Sequence, residues 1–537
     1  MKRIASIIIL SLAAAIAYGQ TAEDAYMFSE SHYEGTARTM AMGNAFTALG
    51  GDLGSFNINP AASAVAKYSQ ISITPALTFS TDVCQGTPLP DGMIPDFQKK
   101  VSSRNTYTGL SNIGLAYNWE TGRKSGLKSI SFGFVGNRSN TWNGNLYTHG
   151  INTETSFMGA VASAAMDMGL LGSDLADVNA YDFMPWREVA AFQSGMISTF
   201  DQMDDAFVGA TETVQKIESD PQNPVYEIFL SGPVKQEFGR NVDGSKQDYV
   251  FNLGGNISDF IYIGANLGLT SITYSEDWYL TESAVDQNDF RFETDNGEAM
   301  YFQRMKYAEG YMVDGSGIYG KLGIIVTPGQ GLRFGAAIQT PTVTTIDETW
   351  TVDGETQFST GKYTSYSPYG TGEYTFNSPM RANFGLAYTF RNLGLVSVDY
   401  EMADYSQMRY DTNNSDRQHF TDLNNDIRTR FGMSHMLRAG IEVKALPEFA
   451  IRAGYTMTTS GEKIDSWGQP VSQKSQTASL GFGYSSKGSF FADAAVQTRM
   501  LDDEYFMPYE NYTDKPSPEI VNHRSLWKAV FTFGWRF

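Results

Sequence analysis

Hydrophobic residues recur at every second position along most of this chain. In the closing stretch, Trp527, Ala529, Phe531, Phe533, Trp535 and Phe537 alternate with Lys528, Thr532, Gly534 and Arg536. Strand side chains point to opposite faces in turn, so each such run predicts a strand with one greasy and one polar or small-residue face. Ile261, Ile263, Ala265, Leu267 and Leu269 oppose Tyr262, Gly264, Asn266, Gly268 and Thr270 in the same way. Val396, Val398 and Tyr400 oppose Ser397, Asp399 and Glu401, and Leu437, Ala439, Ile441 and Val443 oppose Arg438, Glu442 and Lys444. A lipid-embedded barrel with a wet lumen shows this pattern, and so does a soluble sandwich with its apolar faces turned inward.

The connections separate the two. Short ones fall at 121–127, 258–259, 328–331, 392–394, 446–448 and 485–488. Long ones lie between them, at about 81–110, 142–244, 276–298, 350–363, 404–435, 459–474 and 501–525. Short and long alternate strictly, which matches the brief periplasmic turns and long outer loops of outer-membrane barrels. Six turns and seven loops predict an all-β fold, a transmembrane antiparallel β-barrel of about fourteen strands with both termini periplasmic. No stretch of the mature chain approaches ~18 consecutive apolar residues, so no membrane-spanning helix is expected.

Two segments break the period. From Phe157 to Asp220, Met, Ala and Leu recur at helical spacing, which predicts two or more helices inside the second outer loop, 142–244. Hydrophobic residues there, Trp142, Phe157, Met166, Met168, Trp186 and Phe192 among them, are candidates for a ligand-capture surface or for a small core of the loop's own. Residues 20–68 do not alternate either and are dominated by small residues such as Gly35, Ala41, Gly43, Ala48 and Gly54. Ahead of them, Lys2 and Arg3, an apolar run from Ile4 to Ala17 and the small-residue site Ala17-Tyr18-Gly19 predict a secretory signal peptide over 1–19.

Charge and motifs narrow the function. The net charge of −20 excludes a basic nucleic-acid footprint. A single cysteine, Cys84, excludes an internal disulfide or a cysteine-based zinc site. Gly315-Ser316-Gly317-Ile318-Tyr319-Gly320 fits a dinucleotide-loop spacing, but Lys321 to Val326 continues as strand where that site needs a helix. Asp422, Asn424 and Asp426 have the spacing of a calcium loop without its glycine or its final glutamate, and are read as a solvated polar loop. The five histidines form no ligand pair, so no cofactor, no metal and no enzymatic site is expected.

The small-residue stretch ending in Asn59-Pro60-Ala61, just before a first strand at Gln70 to Phe79, resembles the FadL/TodX family of outer-membrane channels for long-chain fatty acids and hydrocarbons. Echoes follow at PMRANFGLAYTF from Pro379, at Asp399 to Glu401, and at LRAGIEV and IRAGY from Leu437 and Ile451. The resemblance implies a fourteen-stranded barrel over 69–537, in a Gram-negative outer membrane, with 20–68 as an N-terminal hatch in the lumen. Asn59, Pro60, Ala61 and Gly43 would build the hatch. Hydrophobic ligand would be captured by outer loops and leave sideways at a kink in an early strand, here near Gly136 and Arg138. Phe533, Trp535 and the terminal Phe537 resemble the signal read by barrel-insertion machinery. Implied partners are membrane lipid, lipopolysaccharide, that machinery and a hydrophobic small molecule. Some barrels that resemble this family instead act as scaffolds or cargo handlers in protein secretion.

Overall fold

A computed structural model describes residues 20–537 apart from 88–96, 98, 221–222, 294–296, 392, 412–416, 465–469 and 513–515. The expected signal peptide lies outside the described residues. Fourteen antiparallel strands close into a barrel. They are β1 (Gln70–Gly86), β2 (Val101–Glu120), β3 (Leu127–Thr141, continued by Gly144–Asn152), β4 (Val234–Ile257), β5 (Ile261–Ala284), β6 (Ala299–Gly329) and β7 (Leu332–Gln339, continued by Val343–Phe358). The circuit goes on through β8 (Gly370–Asn377 and Arg381–Phe390), β9 (Gly394–Asp404, continued by Arg409–Tyr410), β10 (Met433–Leu446), β11 (Phe449–Thr459), β12 (Lys474–Ser485), β13 (Phe490–Met500) and β14 (Ile520–Arg536). β14 pairs with β1 from Gln70↔Arg536 to Gly86↔Ile520, which leaves no free edge at the closure. Ser69 and Phe537 exchange both backbone hydrogen bonds, at 3.0 and 2.9 Å, at the end where the short turns lie.

The two strand faces sort as the alternation predicts. Ile263, Leu267, Phe384, Ile451, Leu480 and Phe482 are exposed in a continuous outer belt, while the interleaved Asn266, Asn383, Asp399, Arg452 and Ser479 are buried on the lumen side. Phe533, Trp535 and Phe537 stand on the exposed belt. An apolar face left uncovered over the whole circumference is stable only against lipid. No helix among the described residues is long and apolar enough to cross a membrane.

β6 runs 31 residues, about three times the ~9–11 that a bilayer crossing requires. Together with β4, β5 and β7 it builds a wall beyond the belt on one side. The insertion between β3 and β4 packs on this wall. It holds α4 (Phe157–Asp167), α5 (Gly172–Leu175) and α6 (Trp186–Gln193), counting from α1 (Ala22–Ser29), α2 (Ala37–Ala41) and α3 (Ala62–Val65) in the lumen.

Three expectations need correction. The insertion spans only 153–233, because β3 runs on to Asn152 and β4 begins at Val234. Its second half is not helical. Gly195, at φ 74°, ends α6 in the left-handed conformation that glycine alone adopts freely. Beyond it Ile197–Thr199 pairs with Phe207–Gly209, and Glu212–Asp220 with Asn223–Leu230, two hairpins built on Ile197, Val208, Thr213 and Val214. The Asp422–Asp426 run is no open loop: it lies within α7 (Arg417–Arg430). There Asn424 turns inward and its side chain brackets the Tyr410 backbone, accepting from N–H at 2.8 Å and donating to C=O at 3.0 Å. Among the described residues no cluster suited to a metal ion is present.

Candidate functional site

The site is the barrel's interior, and it begins with the hatch. Its backbone lies directly on the wall where inward-facing strand positions are glycine. A Cβ at Gly264 would collide with the Pro60 carbonyl, one at Gly335 with the Thr47 carbonyl, and one at Gly454 with Gly43 itself. Gly43 takes φ 60° and its carbonyl accepts from Thr456 Oγ1 at 2.9 Å. Asn59 is fully buried. Its amide nitrogen donates to Thr47 O at 2.7 Å and reaches Ile324 O on β6 at 3.2 Å, while its oxygen accepts the Ala61 N–H at 3.0 Å. That last bond is an Asx turn, which sets the bend at Pro60. The Pro60 carbonyl accepts from Asn252 of β4 at 2.9 Å.

Wall cations supply further anchors. Lys246 donates to Phe28 O at 2.8 Å, Lys321 to Asn57 O at 2.7 Å, Arg333 to Leu49 O at 2.7 Å and Arg381 to Ser29 O at 2.7 Å. Arg38 of α2 pairs with Glu442 at 2.8 Å, and Glu442 also holds Arg452 at 2.6 Å. Carbonyl oxygens satisfied by buried cations form charge-assisted bonds, the strong kind. These anchors are absent from the sequence expectations, because a lysine on a lumen face looks like any wet lumen position.

The wall is not sealed all the way round. β2 pairs with β3 only from Glu120↔Ser129 to Asn112↔Asn137. Beyond this, β2 runs on beside β1 as far as Cys84↔Val101, and β3 runs on beside β4 alone. The candidate kink residues sit at this parting. Gly136 is one residue before the last β2–β3 pair, and a Cβ there would press on Ile113 and Tyr249. Arg138 is the first residue past it, where the β3–β4 register also shifts. The unpaired β3 edge is taken up from inside: His32 N–H donates to Ser139 O at 2.6 Å and Glu34 N–H to Arg138 O at 3.0 Å. The hatch thus supplies the ladder that β2 has left. The Glu34 carboxylate sits in the parting, accepting from Ser111 of β2 at 2.8 Å and Thr141 of β3 at 3.3 Å, and pairing with Lys528.

The candidate capture residues divide. Trp142 belongs to the wall, in the step between the two halves of β3, with its ring edge-on to Phe28 at 5.7 Å and Tyr274 at 5.9 Å. Phe157 is buried at the base of the insertion, 4.9 Å from the Tyr307 ring. Met166, Trp186 and Phe192 are half-buried and pack against the same cluster. Met168 caps α4 half-exposed. The insertion therefore has a core of its own, and three of the six lie along that core's margin.

No family model and no curated protein matches the chain. Among solved structures it is similar to a Pseudomonas aeruginosa FadL homologue, with TM-score 0.52 at 11% identity over 94% of this chain and 99% of that one. It is also similar to the P. putida toluene transporter TodX, with TM-score 0.50 at 12% identity over 95% and 99%. The shared fold is a closed fourteen-stranded barrel with a helical N-terminal hatch.

Proposed function

We propose that this protein is an outer-membrane channel for passive uptake of hydrophobic small molecules, long-chain fatty acids among them, with both termini in the periplasm. The observation that carries the reading is the parting of β2 from β3 above Asn112 and Asn137, where the hatch takes up the freed β3 carbonyls. A gap in the wall opens sideways, toward lipid, whereas a polar solute needs a path along the axis. An alkyl chain gains ~0.8 kcal/mol for each CH₂ kept from water, so a sideways exit lowers the barrier that an aqueous route imposes. The margin of the insertion, at Met166, Trp186 and Phe192, is the proposed capture surface. The two solved structures of the same fold support the reading, one being named a FadL homologue and the other a toluene transporter.

Uptake of radiolabelled long-chain fatty acid and of toluene is measured in cells with and without the protein. Faster uptake of either supports the reading, and unchanged uptake of both rejects it. Replacing 157–193 by a short glycine-serine linker is expected to weaken capture while the barrel stays heat-modifiable on gels.

A further inference from the structure

The rim where the short turns lie carries a charge opposite to that of the chain. The protein has a net charge of −20, yet its turns at this end hold Lys67, Arg123, Lys124, Arg391 and Lys444, all exposed. Among the described residues none of these stands in an ion pair. The pairs at this end, Lys128 with Asp259 and Lys487 with Glu448, use other cations. Arg333 and Arg536 turn inward, to the Leu49 carbonyl and the Tyr68 ring. The side-chain carboxylate left over beside these turns is Glu120.

These cations stand directly beyond the lipid-facing belt. The exposed Phe390 and Val443 immediately precede Arg391 and Lys444, and the exposed Trp119 ends its row just before Arg123 and Lys124. Lys67 comes just before Ser69, which is bonded to the exposed Phe537. Aromatic residues of a barrel collect at headgroup level. Lysine and arginine stems set just beyond that level carry their charge into the headgroup layer. The cations also follow an arc of the circumference. They come from the β8–β9 and β10–β11 turns, the stretch leading into β1 at the seam, and the β2–β3 turn. A folded partner touches a barrel on one side, whereas a leaflet surrounds it.

We infer that this rim binds the phosphate groups of anionic glycerophospholipids in the leaflet around it. Ammonium and guanidinium groups both donate to phosphate. A zwitterionic headgroup sets its own cation against them, so the rim selects lipids of net negative charge. Each cation close to an anionic surface is worth about fivefold in affinity. The inference takes from the proposed function the placement of this end in the periplasm, and nothing from uptake.

The test counts lipid bound to the full mature chain in detergent micelles by native mass spectrometry, with heat-modifiability confirming each barrel. Phosphatidylglycerol, phosphatidylcholine and lipopolysaccharide are titrated separately. Phosphatidylglycerol is expected to bind tenfold or more tighter than phosphatidylcholine, and added salt should shrink that margin. Lys67→Gln/Arg123→Gln/Lys124→Gln/Arg391→Gln/Lys444→Gln should erase it. Lys235→Gln/Lys306→Gln/Lys362→Gln/Arg417→Gln/Arg428→Gln removes as much charge from exposed residues at the opposite end, and should leave the margin intact. Equal binding of the two phospholipids overturns the rim site, as does a margin that survives the first variant. A margin lost equally in both variants overturns it too, because net charge would then set the preference. Lipopolysaccharide binding that exceeds phosphatidylglycerol and vanishes in the first variant would place this end in the other leaflet and overturn the assignment. Polyglutamate bound more tightly than phosphatidylglycerol, and lost in the first variant, would make the rim a dock for an acidic protein instead. Fatty-acid uptake can fail in cells without touching any of these results.

Discussion

The hatch and the outer insertion both fill space inside one wall, yet they are attached by opposite means. The hatch rests on glycine backbone and is held by side-chain donors from Lys246, Lys321, Arg333 and Arg381 to its carbonyls. The insertion is held by an aromatic and aliphatic cluster in which Phe157, Phe238, Trp278, Tyr307, Phe358 and Tyr509 are buried. A hydrogen bond from a charged donor contributes about 1.5–3 kcal/mol net. A buried aromatic truncated to alanine forfeits about 3–5 kcal/mol. The hatch therefore has anchors spread along its length, with Phe28, Phe46 and Phe56 buried against separate parts of the wall, whereas the insertion is concentrated on one cluster.

The largest expected effect breaks the insertion side. Phe157→Ala should destabilise it by about 4 kcal/mol, seen as protease cleavage within 153–233 at low urea with the hatch still protected. Simultaneous cleavage in 20–68 would show that the two regions are not independent. Next comes a pH dependence of the insertion. Glu212 accepts the Gly209 N–H at 3.0 Å, but burial dominates and raises its pKa from 4.5 to about 7. A carboxyl raised on folding binds a proton that the unfolded chain has lost, so stability falls as pH rises from near 4.5 to about 7. The insertion should lose up to roughly 3 kcal/mol across that window, and Glu212→Gln should flatten the profile in urea–protease titrations run from pH 4 to 8.

On the hatch side the effects are smaller. Asn59→Ala leaves the Thr47 and Ile324 carbonyls without their donor and should cost about 2 kcal/mol. The readout is more frequent openings in planar bilayers, with insertion proteolysis unchanged. Thr532 accepts the Ala37 N–H at 2.7 Å where α2 begins. Thr532→Val should cost about 1 kcal/mol, raising opening frequency by less than Asn59→Ala does. A reversed order would mean that the start of α2, rather than the Asn59 turn, is the tighter anchor.

The barrel was legible because its rule is local. Each lipid-facing residue is apolar whatever its neighbours do, so Ile263 and Leu267 declare their strand without help from distant sequence. The strict alternation of short and long connections then supplied the strand number. The insertion's hairpins were not legible. Met196, Met203 and Ala206 sit at helical spacing, and only Gly195 and the positive-φ pair Asp201 and Gln202 turn the chain otherwise. The α7 helix was hidden in the same way: its segment is polar on most sides and is fixed by Asn424 and by Arg430, which bonds to Glu23 and Glu462. The surroundings of Glu34 are invisible in principle from one strand at a time. Ser111, Thr141 and Lys528 come from three separate strands, and only barrel closure brings them round one carboxylate.

The reciprocal bonds between Ser69 and Phe537 carry an implication for how the stopper is tethered. The cylinder is completed where β14 pairs with β1, and the stopper is the stretch that leads directly into β1. Gln20 lies deep inside, its side chain bonded to Glu348. Residues 20–68 are thus tethered at the seam itself. Seam and stopper therefore share one point of attachment, and a disturbance at the start of β1 reaches both.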